Sequence, residues 1–355
     1  MRKQMISLAA VSAAVCTAPA IAQSSVTLYG IADSAVTYVD DFKGKSSTQV
    51  NSGNLNTSRF GLRGSEDLGG GLSAIFNLES GITMDTGVAG SSSAFWNRQA
   101  WVGLDSKSLG QLKLGFQRPV MYDLLGPLSH TPPFGAPAAR VDGAGVTGSA
   151  LADFNNTIGT TRFNNSVKYS SPDFAGFKVH GFVAMGEVEG GSNSTGQTVN
   201  LGVGYKRGAF TAGLSYLTTK CKEVGGCAGT KDDDTVLGLG AGYDFGVAKL
   251  NAIYTSQENA KNVKDADADT VSVAVIVPFK PWTLAVGIQQ LNDKRAKNWD
   301  VQQINVSAVY DLSKRTALYA IYANQTVDNG GIAGISFLSG GDSQNQLSLG
   351  FRHRF

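Results

Sequence analysis

The residues equipped to do chemistry in this chain are mainly basic, and their spacing fits ion attraction rather than bond breaking. Arg59 and Arg63 stand four apart in Ser58-Arg59-Phe60-Gly61-Leu62-Arg63. Strand side chains alternate with period two, so the two arginines share one face and Phe60 and Leu62 share the other. Guanidinium groups held on one face form a permanently charged wall that attracts anions. Groups for covalent catalysis are thin. Nucleophilic hydrolysis needs a hydroxyl or thiol, a histidine and an acid converging in space, and the three histidines are His130, His180 and His353. His353 shares the apolar parity of the last strand, and His180 sits in Lys178-Val179-His180 with no nucleophile motif beside it. His130 lies in a long Pro-rich segment apart from the other two. The sequence therefore predicts neither an enzyme nor a cofactor. Cys221 and Cys227 bracket a short loop with no His or carboxylate cluster of ligand spacing around them. A loop disulfide is the reading for an exported chain, and a metal site is disfavoured.

Export is written at the N-terminus. Arg2 and Lys3 precede an apolar run from Met5 to Ala22 that closes on Ala20-Ile21-Ala22. That is the layout of a secretory signal peptide, residues 1–22, cut after Ala22. A retained membrane helix is the rival, weakened by the shortness of the run and by Pro19 within it. Cys16 follows the bulky Val15, a poor lipoprotein anchor, and would leave with the signal. The remaining Gln23–Phe355 loses Arg2 and Lys3, so the formal charge of +2 falls to zero. A nucleic-acid partner calls for a basic excess or stripe, and neither is present. No later stretch reaches the roughly eighteen apolar residues of a spanning helix.

The elements that must position the arginines are strands. Glycine is abundant (44) and proline scarce (9), and alternation recurs in segments of about ten residues, as in a transmembrane β-barrel. Asn200–Tyr205, Thr211–Tyr216 and Gln303–Tyr310 each put large apolar residues on one parity and Gly, Ser, Thr, Asn or Gln on the other. Alternation alone leaves open whether the apolar face meets a soluble core or lipid. Seven short joints read as turns: Glu66–Gly71, Ser106–Gly110, Pro172–Gly176, Lys206–Gly208, Asp244–Gly246, Pro278–Pro281 and Asp311–Lys314. Longer polar segments alternate with them near 40–55, 86–95, 119–161, 187–197, 218–233, 257–268, 293–299 and 327–343. The pattern predicts an all-β fold, one 16-stranded antiparallel transmembrane β-barrel with short periplasmic turns, long external loops and both termini on the periplasmic side. Tyr29, Tyr38, Trp101, Tyr205, Tyr216, Tyr243, Tyr254, Trp282, Tyr310, Tyr322 and Phe355 fall near strand ends, as interfacial girdles require.

The third long segment, 119–161, is far longer than ordinary connections. It opens on the apolar Val120-Met121-Tyr122-Asp123-Leu124-Leu125, which must pack somewhere. The interior of a sixteen-stranded barrel has room for it; a mobile external loop or lid is the alternative. The final Leu347-Ser348-Leu349-Gly350-Phe351-Arg352-His353-Arg354-Phe355 alternates cleanly and fits either a barrel strand or the edge of a soluble sandwich. No plug domain separates the signal from the first strand near Ser25, which argues against an active transporter. The acidic runs at 232–234 and 265–269 read as solvated loop faces or divalent-cation contacts to lipopolysaccharide, without an adhesin-like motif.

Val26-Thr27-Leu28-Tyr29-Gly30 and Ser58–Leu72, with Asn97–Leu104, Asn164–Pro172 and the terminal Phe355, resemble the general-diffusion porins of Gram-negative bacteria, closest to the beta-proteobacterial branch. The resemblance implies an outer-membrane homotrimer whose sixteen-stranded subunits each pass small hydrophilic solutes and ions. It implies that segment 119–161 folds inward as the constriction loop, and that Phe355 is read by the barrel-assembly machinery. Outer-membrane lipid and lipopolysaccharide would surround it. By the same resemblance Arg59, Arg98 and Arg162 line the pore wall facing that loop, with Arg63 a weaker addition.

A lipid-facing Arg in a barrel costs about 2–4 kcal/mol, which sends Arg59 and Arg63 to the lumen; a rim site bound to lipopolysaccharide is the alternative for Arg59. Arg98 shares parity with Ala100, Val102 and Leu104, a conflict that packing beneath the folded loop would resolve. Asp123, with Asp142 and Asp153, should supply the opposite wall. Porins of this fold often carry an acid in a Pro-x-Phe-Gly segment at the loop tip, whereas this chain has Pro132-Pro133-Phe134-Gly135 with His130 nearby. Arginines facing few carboxylates predict a weak to moderate anion preference. A substrate-specific channel on the same barrel is the alternative.

Overall fold

The computed structural model describes residues 25–91, 94–128, 162–192, 194–221, 232–335 and 339–355. The signal segment 1–22, His130, Asp142, Asp153, the 132–135 tip and Cys227 lie outside the described residues. Strands β1 (Ser25–Phe42), β2 (Lys45–Ser52), β3 (Arg59–Gly69), β4 (Leu72–Gly81), β5 (Gln99–Ser106) and β6 (Gly110–Gln117) come first. A single helical turn, α1 (Val120–Leu125), precedes β7 (Phe163–Ser170), β8 (Phe177–Ala184), β9 (Thr198–Arg207) and β10 (Phe210–Thr219). The remainder is β11 (Asp234–Asp244), β12 (Lys249–Glu258), β13 (Ala268–Phe279), β14 (Trp282–Asp293), β15 (Val301–Asp311), β16 (Thr316–Val327) and β17 (Ser343–Arg354).

These segments form one antiparallel sheet that closes on itself. β1 pairs with β17 on one side (Val36↔Leu349) and on the other with β2 (Val36↔Val50) and then β3 (Leu28↔Leu62). β2 and β3 are thus two parts of one stave, broken at 53–58, and the barrel is 16-stranded. The break corrects the loop expected near 40–55. Lys43 and Gly44, both at positive φ, make a tight turn, and the polar Lys45–Ser52 continues as strand. A Ser/Thr-rich run looks like loop when alternation is sought, yet backbone pairing needs no apolar face.

Burial settles the side that alternation left open. Leu201, Leu214, Ile304 and Leu349 are exposed, while Asn200, Ser215, Gln303 and Ser348 on the opposite parity are almost fully buried. A soluble sandwich does the reverse. Apolar outside and polar inside is the arrangement that lipid demands of a barrel. Tyr29 and Trp101 depart from the expected girdle. They oppose Gly61 and Asn77 in the pairing, which puts both on the lumenal parity, where Trp101 donates its indole N–H to Gln99 at 2.7 Å. Outward aromatics stack beside the short turns, Phe177 on Tyr205 and Trp282 on Tyr310.

The closing seam is finished by the last residue. Phe355 exchanges two backbone hydrogen bonds with Gly30 at 3.0 and 3.1 Å, and its ring lies where any Gly30 side chain would stand. A second glycine device seats α1. Gly202 and Gly204 on β9, Gly213 on β10 and Gly238 and Gly240 on β11 turn bare backbone to the lumen, against Leu124, Leu125 and Leu128. Met121 and Leu125 are fully buried there with Leu217, Val236 and Ile253. Each such side chain contributes about 1.5–3 kcal/mol, and Met121 N–H donates to Asn200 Oδ1 at 2.7 Å. The apolar opening of the third loop therefore lies on the inner wall, across the barrel from β1 to β4.

Candidate functional site

The inner wall between β1 and β7 carries a cluster of guanidinium groups. Arg59 begins β3 and faces the lumen, its Nε donating to the Thr57 carbonyl at 2.8 Å. Arg98 precedes β5 and is only 7% exposed; its Nε donates to Glu79 Oε1 at 2.7 Å. Arg162, just before β7, donates from Nε to the Arg98 carbonyl at 2.8 Å. Arg118, between β6 and α1, stacks its guanidinium 3.6 Å from the Tyr122 ring centroid. Arg118, Arg162, Arg98 and Arg59 lie close enough to feel one another's charge, and Glu79 is the acid that Arg118, Arg162 and Arg59 share.

Glu79 is oriented from two sides. Its Oε1 accepts from Arg98 and its Oε2 from the Tyr29 hydroxyl at 3.0 Å. Tyr29 on β1, Gly61 on β3 and Glu79 on β4 stand in one row. The ring crosses Gly61, where a Cβ would come within 2.8 Å of the phenol. Arg63, one pleat along, touches this group through Tyr29, its guanidinium 5.1 Å from the ring centroid.

The structure thus brings together Arg59, Arg98 and Arg162 and leaves Arg63 at the edge. The parity conflict of Arg98 resolves differently from expectation. Val102 and Leu104 point outward and are exposed, not under the loop. Arg98 lies one residue before β5 begins, so it is free of the strand's alternation and turns in to Glu79. Asp123 is not a bare acid facing the arginines, because a cation beside it takes up its charge. It forms an ion pair with Lys168, in a separate group with Lys113 and His180. Lys168 also donates to the Arg118 carbonyl at 3.0 Å. Glu79, Arg118 and Tyr29 were missed as site residues. The Glu66–Gly71 turn held a signal for Glu79, because hairpin register places it opposite Gly61. His180 Nδ1 lies 2.8 Å from the Ser170 hydroxyl, and no metal-holding group of three ligands occurs among the described residues.

A cluster of fixed cations on the inner wall of a closed, lipid-facing barrel is the lining that a channel uses to choose ions. Residues 7–330 match the Gram-negative porin family model. The chain belongs to that family. It is 35% identical, over the whole of both chains, to outer membrane porin protein 32 of Delftia acidovorans. It is 29% identical to an outer membrane porin of Bordetella pertussis, across 94% of this chain and 95% of the relative. Among solved structures, an anion-selective porin from Comamonas acidovorans superposes with a TM-score of 0.79 at 30% identity, covering 94% of this chain and 100% of that one. This porin is accordingly an outer-membrane channel protein.

Proposed function

We propose that this porin passes small hydrophilic solutes passively and prefers anions, through the cluster of Arg59, Arg98, Arg118 and Arg162. One observation carries the reading: four guanidiniums, of Arg59, Arg98, Arg118 and Arg162, crowd one patch of the inner wall, where Glu79, the carboxylate they share among the described residues, is engaged by Arg98. The likeness to an anion-selective porin supports the same sign. An anion about 4 Å from one guanidinium gains roughly 1 kcal/mol in water, close to fivefold in occupancy. The preference is therefore moderate and fades with salt. Residues 119–161 act as the constriction loop, with α1 as its seated base and Asp123 neutralised by Lys168. His130 tunes the narrow path. The chain is exported by residues 1–22, pairs Cys221 with Cys227 in an external loop, and works as a homotrimer within lipid and lipopolysaccharide. No enzymatic activity is proposed.

Single-channel conductance in planar bilayers tests the sign. Replacing chloride by acetate should lower conductance more than replacing potassium by lithium. The opposite order would refute the anion preference while leaving the channel.

A further inference from the structure

We infer that Asp33 is a positioning residue for the pore's selectivity: a carboxylate that sustains anion preference by holding Arg59 in place. The inference rests on the anion-attracting reading of the arginine cluster. It starts from the break between β2 and β3. Residues 53–58 leave the sheet, yet Asn54, Leu55, Asn56 and Ser58 are nearly or fully buried. A break with that burial is held by something, and the holder is Asp33 on the neighbouring strand.

The clamp uses backbone and side chain of Asp33 together. Oδ2 accepts from Asn56 N–H at 2.9 Å, and Oδ1 faces Leu55 N–H at 3.4 Å. The Asp33 carbonyl accepts from Gly53 N–H at 2.9 Å and from the Ser58 hydroxyl at 2.9 Å. Its N–H donates to Ser58 Oγ at 3.0 Å. Asp33 is itself pinned from across the seam. Tyr319 on β16 lies over Gly350 on β17 and donates its hydroxyl to Asp33 Oδ1 at 2.6 Å. Arg352 on β17 donates to Asn56 Oδ1 at 3.1 Å. Leu55 completes the hold in an apolar cluster with Tyr319, Ile321 and Ile335.

Arg59 follows this segment directly, and its Nε is anchored on the Thr57 carbonyl within it. Fixing 53–58 therefore fixes a guanidinium of the pore wall. A buried carboxylate accepting from peptide N–H groups is the strong class of hydrogen bond, whereas an amide in its place cannot accept at both oxygen positions. Asp33→Asn would set an N–H₂ against the Asn56 or Leu55 N–H and loosen the segment.

The sign of the effect separates positioning from simple charge. Removing a negative charge from the lumen would by itself raise anion preference; loosening Arg59 lowers it. We expect Asp33→Asn to reduce the chloride-to-potassium permeability ratio at least twofold relative to wild type, measured as a zero-current potential in bilayers. Tyr319→Phe, which keeps the Asp33 charge and removes one of its bonds, should move the ratio the same way by a smaller factor. In an Arg59→Ser background Asp33→Asn should add nothing further. An unchanged or raised ratio in Asp33→Asn, or an equal drop with Arg59 absent, overturns the inference. Should Asp33→Asn fail to assemble, Tyr319→Phe and Ser58→Ala decide by the same criterion. Each shift is read against wild type, so it counts whatever sign the wild type shows, and a cation-preferring wild type would count against the anion reading alone.

Discussion

Arg98 and Glu79 carry opposite consequences for the same pore. Arg98→Ala removes a fixed cation and leaves Glu79 as an acid facing the remaining guanidiniums. The chloride-to-potassium ratio should fall by about fivefold at low salt, the worth of one charge at contact distance, and zero-current potentials check it. Glu79→Gln leaves the cations without their shared acid and should raise the ratio, at a stability cost of about 3–5 kcal/mol for breaking a buried pair, read as lost heat resistance. The lumenal side of Arg59 and Arg63 was legible from parity alone, because Phe60 and Leu62 demand the other face. The inward turn of Arg98 was not. Parity governs residues inside a strand, and where β5 starts is set by pairing with β4, which the sequence does not display. Arg118 was hidden for a similar reason, standing between the last residue of β6 and the loop that drew attention.

At the scale of elements, two glycine devices decide where functional side chains go. Gly238 lies under α1, where an added Cβ would come within 2.5 Å of Leu125. An alanine there meets only a movable side-chain tip, but Gly238→Leu overfills the bed at a cost of about 1–3 kcal/mol. It should displace α1 and Arg118 with it, lowering single-channel conductance while leaving barrel yield intact. Gly61→Val meets the Leu78 carbonyl at 2.7 Å and the Tyr29 phenol at 2.8 Å, so it should eject Tyr29 from Glu79 and lower the temperature of thermal unfolding. The apolar Val120–Leu125 segment was readable as something that must pack. Its bed was not, since glycines spaced along three strands become a surface only when β9, β10 and β11 are in register. β2 escaped for the opposite reason: its polar run carries no apolar face, and only its pairing with β1 reveals it as strand.

For the whole molecule, closure is the feature on which everything else depends. Turns and loops counted along the chain predicted sixteen strands, and the pairing of β1 with β17 completes that number once β2 and β3 are taken as one stave. Phe355 sits on that seam against Gly30. Deleting Phe355 should sharply reduce the amount of heat-modifiable barrel in outer-membrane fractions, with normal conductance in the channels that do insert. Normal levels of the truncated protein would remove any assembly role from this residue. What the closed barrel prefers to pass follows from the charge on its inner wall. The direct measurement is the zero-current potential of the wild-type channel across a KCl gradient, with the dilute side at about 0.1 M or below, where the wall charges act over ~10 Å or more before they are screened. The dilute side should become negative as chloride outruns potassium, and the potential should shrink when both sides are moved to higher salt. A positive dilute side would contradict the account.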